Sequence, residues 1–276
     1  MAMMVVLAAV VFTYGVSPGI ARDDGESGAV AGAGTMGDSV LPLDMAENSV
    51  DDMYDGCKKE MKKRVTKDLE IEKEADKVFK KIWETSEKNK HIFKWIPKVL
   101  TQKQIVAISS YTYVGIKTEN GLKNVYGNLN TAVRTQGPEY NTAFGYHALH
   151  FLLTTAIQAK RVKQCLTVYR RVNVSFSQDV QNKSFRFGSF TSASLNDYLN
   201  AAIFGDKSCF EIVTCMGAKI SSYSSVPKER EVLIPPYEVF KVVDITRPTT
   251  KLPCEVVYKV KSTGYVSKLN CALFPK

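Results

Sequence analysis

The segment Leu166-Thr-Val-Tyr-Arg-Arg-Val172 marks the point where the chain changes from helical to β-strand patterns. Before it, residues 75–83 and 122–133 place apolar side chains at spacings of three and four. Residues 146–159 are apolar on most sides. The first two patterns predict amphipathic helices, and the third predicts a buried one.

After this segment come short runs rich in β-branched and aromatic residues, separated by Gly, Pro and Asn. The runs lie at 184–192, 210–215, 231–234, 238–243 and 255–260. One short helix is predicted over 194–203, with Ser194 as its N-cap. Helices followed by strands indicate an α+β fold. We therefore expect a helical N-terminal part followed by a mixed or antiparallel two-sheet β core.

The N-terminal residues predict export. Residues 1–21 resemble a secretory signal, with an apolar stretch and small residues at Gly19 and Ala21 before the first charges. The Gly/Ala/Ser-rich segment 22–48 is expected to be flexible, and 50–276 to form one domain. No run reaches the roughly 18 apolar residues that a membrane span needs.

The charge pattern argues against a nucleic-acid partner. The chain has 37 Lys and Arg against 28 Asp and Glu, a formal charge of +9, and it is 45% hydrophobic. That apolar content excludes a disordered or collagen-like chain. Many of the lysines lie between Lys58 and Lys103, intermixed with Asp and Glu, which is typical of a solvated helical face.

Six cysteines fit an oxidising compartment: Cys57, Cys165, Cys209, Cys215, Cys254 and Cys271. No Cys-x-x-Cys pair occurs and the chain has 3 histidines, so we expect no metal site. Disulfide bonds explain the six cysteines better than a metal site does. The residues alone leave about 15 ways of pairing them open. Asn173-Val-Ser175 and Asn182-Lys-Ser184 are glycan acceptors in a secreted chain.

Three segments are unusual for a purely structural β domain. Adjacent Arg170 and Arg171 interrupt an apolar strand, so alternation turns one of them towards the core or a cleft, unless the strand is a solvated edge. The segment Phe190-Thr-Ser-Ala-Ser194 ends in hydroxyl and small residues just before the predicted helix, which also suits a helix cap. Glu229 and Glu231 lie on the same face if the chain is extended. Such a pair of carboxylates is typical of a site that binds cationic groups, although two solvated charges on a loop would also fit the pattern.

In this order the three segments resemble the arginine, serine and Glu-x-Glu triad of the vertebrate arginine-specific mono-ADP-ribosyltransferases. The resemblance runs from about Tyr54 to Cys271 and covers nearly all of the predicted mature chain. It implies transfer of ADP-ribose from NAD, or NADP, to arginine side chains of proteins, with release of nicotinamide. The alternatives are an NAD glycohydrolase that uses water as the acceptor, and a catalytically silent secreted binding protein.

The resemblance also implies roles for single residues. Arg170 matches the residue that anchors NAD, Glu231 the catalytic glutamate and Ser192 the serine that orients it. Glu229 matches the position that holds the acceptor arginine. Two aromatic residues match others that line the NAD pocket: Tyr111 and Phe204.

The family's disulfides match Cys57 with Cys271 and Cys165 with Cys215, while the state of Cys209 and Cys254 stays open. The chain ends Leu273-Phe-Pro-Lys276 without a hydrophobic tail, unlike the lipid-anchored members, so a soluble secreted form is expected.

We predict that the mature chain begins near Arg22 and carries no free thiol at the four matched cysteines. Intact mass of secreted protein, measured before and after alkylation without reductant, tests both statements. Retention of Met1, or alkylation of four or more cysteines, would contradict them.

Overall fold

The computed structural model describes residues 40–89, 99–119, 121–196, 204–250 and 252–274. The predicted signal and most of the predicted 194–203 helix lie outside these ranges. Within them the helices come first: α1 (Lys58–Ala75), α2 (Lys77–Lys88), α3 (Gln102–Tyr111), α4 (Val125–Thr135) and α5 (His147–Lys160). A small hairpin, β1 (Ile116–Thr118) and β2 (Gly121–Lys123), precedes α4. No helix in the described ranges is long and apolar enough to cross a membrane.

Capping residues explain where the helices differ from the sequence prediction. The helix predicted over 75–83 is divided at Asp76, whose extended backbone ends α1 and whose side chain accepts hydrogen bonds from the first N–H groups of α2. The helix predicted from Leu122 begins instead after the N-cap Asn124, with Leu122 in β2. The sequence prediction missed α3, although Thr101 and Gln104 form its capping box.

The remaining strands form one mixed sheet. They are β3 (Leu166–Val172), β4 (Ser184–Phe185), β5 (Thr191–Ser194), β6 (Ser208–Thr214), β7 (Ala218–Lys219), β8 (Glu231–Ile234), β9 (Glu238–Thr246) and β10 (Val256–Tyr265). Their order is β4-β9-β10-β6-β3-β5-β8-β7, with β6 and β10 parallel. The run predicted at 184–192 is split into β4 and β5 by a loop.

The sheet narrows sharply between β3 and β5. A single residue pair, Tyr169 opposite Ser194, joins these two strands. The five strands from β4 to β3 and the three from β5 to β7 therefore form two halves that meet at this joint. The predicted α+β order and mixed strand directions are confirmed, but these strands form one sheet and not the predicted two, because the Tyr169–Ser194 pair joins the halves.

Two hydrophobic cores receive alternate residues of β8. Val232 and Ile234 pack with sheet residues such as Phe210. Leu233, between them in sequence, packs into the core that the helices supply, where Leu149 of α5 lies. Successive residues of a strand point to opposite faces, so β8 connects the helical and β parts of the chain.

The structure contains three disulfides. Cys57–Cys271 and Cys165–Cys215 are the pairs that the family resemblance implied, and both are confirmed. The third pairs Cys209 with Cys254, which the sequence left open.

A buried arginine, Arg186, ties distant parts of the chain together. Its guanidinium donates to the carbonyl oxygens of Met45, Ala46 and Val266 at 2.7–3.0 Å and to the carboxylate of Asp51 at 2.6 Å. The side chains of Arg186 and Asp51 are 0% and 1% exposed. Each nitrogen of this buried guanidinium thus meets an acceptor, as burial requires.

These contacts correct the predicted extent of the flexible segment. Leu41 donates its N–H to the carbonyl of Ser175 and forms a parallel bridge with Phe176. The Asp44 carbonyl accepts the N–H of Arg186. Residues 41–48 are therefore held against the sheet, because their backbone groups satisfy donors and acceptors of the β core.

We predict that Arg186→Met destabilises the fold by about 3–5 kcal/mol, because it leaves the Asp51 carboxylate buried without its cation. Urea unfolding with the disulfides intact measures the loss. The matched control is Lys183→Met, which breaks an ion pair with Asp179 whose members are 59% and 81% exposed. That change should cost at most about 1 kcal/mol; equal losses in the two variants would contradict the prediction.

Candidate active site

A cleft lies at the joint between β3 and β5, where the two halves of the sheet meet. Its walls come from the end of α3, from β3 and β5, and from the turn that precedes β8. It brings together all the site residues that the sequence predicted: Tyr111, Arg170, Ser192, Phe204, Glu229 and Glu231. The residues come from five separate parts of the chain, so the fold alone assembles them.

The two arginines of β3 both line the cleft and are 5% and 4% exposed. The Arg170 guanidinium donates to the carbonyl of Ser192 at 2.8 Å, and Arg171 donates to that of Gly205 at 3.0 Å. Since β3 lies between β6 and β5, the alternative of a solvated edge strand is excluded. Two buried cations in its lining make the cleft suitable for an anion.

Glu231 is the buried carboxylate of the cleft, and two serines hold it. Ser192 donates its hydroxyl to Oε1 at 2.5 Å, and Ser224 donates to Oε2 at 3.3 Å. Burial raises the pKa of Glu231 to about 7, against the opposing effect of the Ser192 hydrogen bond. The nearby Glu229 charge raises the pKa further. A carboxyl with this pKa changes charge near neutral pH and is fixed in orientation.

The backbone around the two glutamates differs from the expected extended chain. Pro227–Glu229 forms a 3₁₀ turn, Arg230 adopts a left-handed conformation with φ 46° and ψ 46°, and β8 begins at Glu231. The turn, rather than strand alternation, brings both carboxylates to one cleft. Glu229 is half-buried, and burial raises its pKa.

Tyr111 links the helical part to the cleft. Its hydroxyl donates to the carbonyl of Phe190 at 3.0 Å and accepts from the Asn130 amide at 3.1 Å. Phe190 directly precedes β5, which carries Ser192, so these bonds fix the start of that strand. Burial raises the pKa of Tyr111, and the phenol stays protonated.

Sequence reasoning missed several contributors. Ser224 lies within the stretch that resembles the family but was not predicted as a site residue, and it contacts Glu231 only because the chain turns back before β8. Tyr126 and Val226 line the cleft, whereas Asn130 acts through Tyr111. The apolar repeat of α4 does not show which of its residues face the cleft and which face the core.

The two histidines of α5 pack against aromatic residues of the helical core. His150 is fully buried, with one ring nitrogen 2.7 Å from the Tyr54 hydroxyl and the other 3.1 Å from the carbonyl of Val50. Burial lowers the pKa of His150 to about 3 and that of His147 to about 4. Both are neutral near pH 7, and neither lines the cleft.

The lining of the cleft thus combines two cations with two carboxylates. Arg170 and Arg171 supply the first, and Glu229 and Glu231 the second. Such a site suits a ligand with phosphates at one end and positive charge, present or developing, at the other.

Comparisons with known proteins agree with this geometry. The profile of the family described as NAD:arginine ADP-ribosyltransferase matches residues 43–258. The chain is 34% identical over 250 residues to ecto-ADP-ribosyltransferase 5 of Bos taurus, which covers 86% of this chain and 76% of the bovine protein. It is 34% identical over 247 residues to the GPI-linked NAD(P)(+)–arginine ADP-ribosyltransferase 1 of Mus musculus, covering 83% of this chain and 72% of the mouse protein.

A solved structure shares the fold across its whole length. It is the crystal structure of a mutant of the eukaryotic mono-ADP-ribosyltransferase ART2.2 in complex with NAD. The two structures have a TM-score of 0.69 and 29% sequence identity, covering 85% of this chain and 100% of the other.

We predict that Glu231→Gln stabilises the folded protein above pH 7 and has little effect near pH 4. The pKa of Glu231 rises from 4.5 to about 7 on folding, so the folded state binds this proton more tightly than the unfolded state. The free energy of unfolding of the wild type, relative to that of the variant, therefore falls as the pH rises from 4.5 to about 7 and is constant above that. A shift of this size corresponds to about 3 kcal/mol.

Urea unfolding of wild type and variant across this pH range measures the difference. Glu255→Gln, at an exposed position outside the cleft, is the matched control and should show no such pH dependence. A gain for Glu231→Gln that is the same at both ends of the range would show that burial of the charge is not its cause.

Proposed function

The chain belongs to the NAD:arginine ADP-ribosyltransferase family, and on that premise we propose that it transfers ADP-ribose from NAD to arginine side chains of proteins. Nicotinamide is the leaving group. The family resemblance predicted from the sequence is thereby confirmed. One observation supports the proposal from this chain's own site: a buried glutamate, held by two serines, lines the same cleft as two buried arginines.

Arg170 is the proposed anchor for the pyrophosphate of NAD. A guanidinium presents paired N–H groups that match phosphate oxygens, and a buried one forms stronger contacts than an exposed one. The Ser192 carbonyl accepts one N–H of Arg170, which fixes the guanidinium beside Glu231.

Glu231 is the proposed catalytic residue. When the bond between nicotinamide and the ribose C1′ breaks, nicotinamide leaves with the electron pair and positive charge develops on the ribose. A carboxylate already held at that point stabilises the charge without reorganising. The free protein has only part of Glu231 ionised at pH 7, and the cationic nicotinamide ring of bound NAD favours the ionised form, because an opposite charge nearby lowers the pKa of a carboxyl.

Glu229 is the proposed contact for the acceptor arginine. A guanidinium is protonated at any working pH, so an anion has to orient it, and a proton must leave as its nitrogen bonds to C1′. The raised pKa of Glu229 makes this carboxylate a better proton acceptor than an exposed glutamate. Water at the same position would give hydrolysis of NAD instead, without needing an anionic partner.

We further propose that residues 50–276, with the arm 41–48, form the catalytic domain and that the protein works outside the cell. Three disulfides favour an oxidising compartment. The relatives described as an ecto-enzyme and as GPI-linked support the same location. Entry into the secretory pathway through the signal predicted at 1–21 is the proposed route.

We predict that Glu229 and Glu231 have different roles in the reaction. Glu231→Gln should reduce nicotinamide release by about 10²–10³-fold with every acceptor, because the charge on the ribose is common to transfer and hydrolysis. Glu229→Gln should suppress arginine labelling but leave NAD hydrolysis largely intact. The measurement is nicotinamide release and labelling of an arginine analogue on one preparation of each variant.

Glu255→Gln serves as the control and should leave both reactions unchanged. Equal loss of both reactions in Glu229→Gln would refute the division between the glutamates. Full activity of Glu231→Gln would refute the proposed site.

A further inference from the structure

We propose that two exposed cations, Lys228 and Arg230, make the enzyme select acceptor arginines that have acidic neighbours. The inference rests on the proposed function, since it concerns the protein that presents the arginine to Glu229. Lys228 and Arg230 stand immediately before and after Glu229 in sequence. Both are exposed, whereas Glu229 is half-buried and lines the cleft.

The charges of Lys228 and Arg230 face the solvent. In the part of the chain that the structure describes, no carboxylate forms an ion pair with either of them. Neither residue lines the cleft itself. They therefore form a cationic rim beside the acceptor carboxylate, and their charge is directed to whatever approaches from solvent.

Hydrogen bonds hold Arg230 in place beside Glu229. The Ser194 hydroxyl donates to the carbonyl of Glu229 at 2.7 Å and accepts the N–H of Asn196 at 2.9 Å. The Asn196 side chain in turn accepts from the Arg230 guanidinium at 3.2 Å. Leu195 donates its N–H to the Arg230 carbonyl, also at 3.2 Å.

This frame fixes the cation and the acceptor carboxylate relative to each other. The left-handed backbone of Arg230, at φ 46°, is uncommon for a residue with a side chain. The frame compensates for it, because the carbonyls of both Glu229 and Arg230 accept hydrogen bonds from the end of β5 and the residue after it.

The rim changes which arginines approach Glu229 most readily. An acceptor guanidinium flanked by Lys or Arg brings like charges next to Lys228 and Arg230, whereas one flanked by Asp or Glu brings opposite charges. Exposed pairs of this kind contribute modestly and are screened by salt. We therefore expect a preference of about five- to tenfold in kcat/KM for acidic over basic flanks at low salt, declining as salt is added.

Three peptides that differ only in the flanks test the inference: Gly-Glu-Arg-Glu-Gly, Gly-Gln-Arg-Gln-Gly and Gly-Lys-Arg-Lys-Gly. The wild-type protein should label them in that order of kcat/KM. Lys228→Glu/Arg230→Glu should reverse the order, and Lys228→Gln/Arg230→Gln should remove it. NAD hydrolysis without a peptide should stay within about twofold in both variants, because the rim lies outside the cleft.

The matched control is Lys58→Glu/Lys62→Glu, which makes the same charge change at exposed positions of α1, a helix that contributes nothing to the cleft. It should keep the wild-type order. Equal labelling of the three peptides by wild type, or an unchanged order after the rim is reversed, would overturn the inference while leaving the proposed function intact. Failure to label any of the peptides, with hydrolysis intact, would instead count against the proposed function.

Discussion

The buried guanidinium of Arg186 is the contact on which the architecture most depends. It lies in the loop between β4 and β5, and it binds the arm before α1, the carboxylate of Asp51 and the carbonyl of Val266 near the C-terminal end of the sheet. Removing a charge from water is costly, so it is tolerated only where partners surround it completely. The same loop leads directly into Thr191 and Ser192. The contact that joins residues 45–51 to Val266 therefore also positions one side of the cleft.

A second buried charge is Glu231, which we propose as the catalytic residue. Burial raises its pKa to about 7, so its surroundings disfavour the ionised form. Ser192 and Ser224 limit this cost by donating hydrogen bonds from β5 and from the turn before β8. A residue kept for stability alone would not be placed there, whereas a carboxylate waiting for a cationic partner benefits from that environment.

The narrow joint between β3 and β5 lies beside the cleft. Neighbouring strands normally share several residue pairs, but these share only Tyr169 with Ser194. Side chains of both strands next to this pair line the opening of the cleft, among them Arg171 of β3 and Ala193 of β5. Arg170 and Ser192, one residue beyond and two residues before that pair, are held at this opening by their shared hydrogen bond.

Sequence patterns predicted that helices precede strands and located the arginine, serine and Glu-x-Glu segments, because these features depend on local periodicity and on residue types at fixed positions. The family resemblance added two of the disulfides. Neither determined the break at Asp76, the 3₁₀ turn at Glu229, the Cys209–Cys254 bridge or the part played by Ser224. Tertiary contacts decide the bridge, which joins residues 45 apart, and the Ser224 contact, which needs the chain to turn back before β8. The break at Asp76 and the 3₁₀ turn depend on local backbone hydrogen bonds, which the periodicity of apolar residues does not reveal.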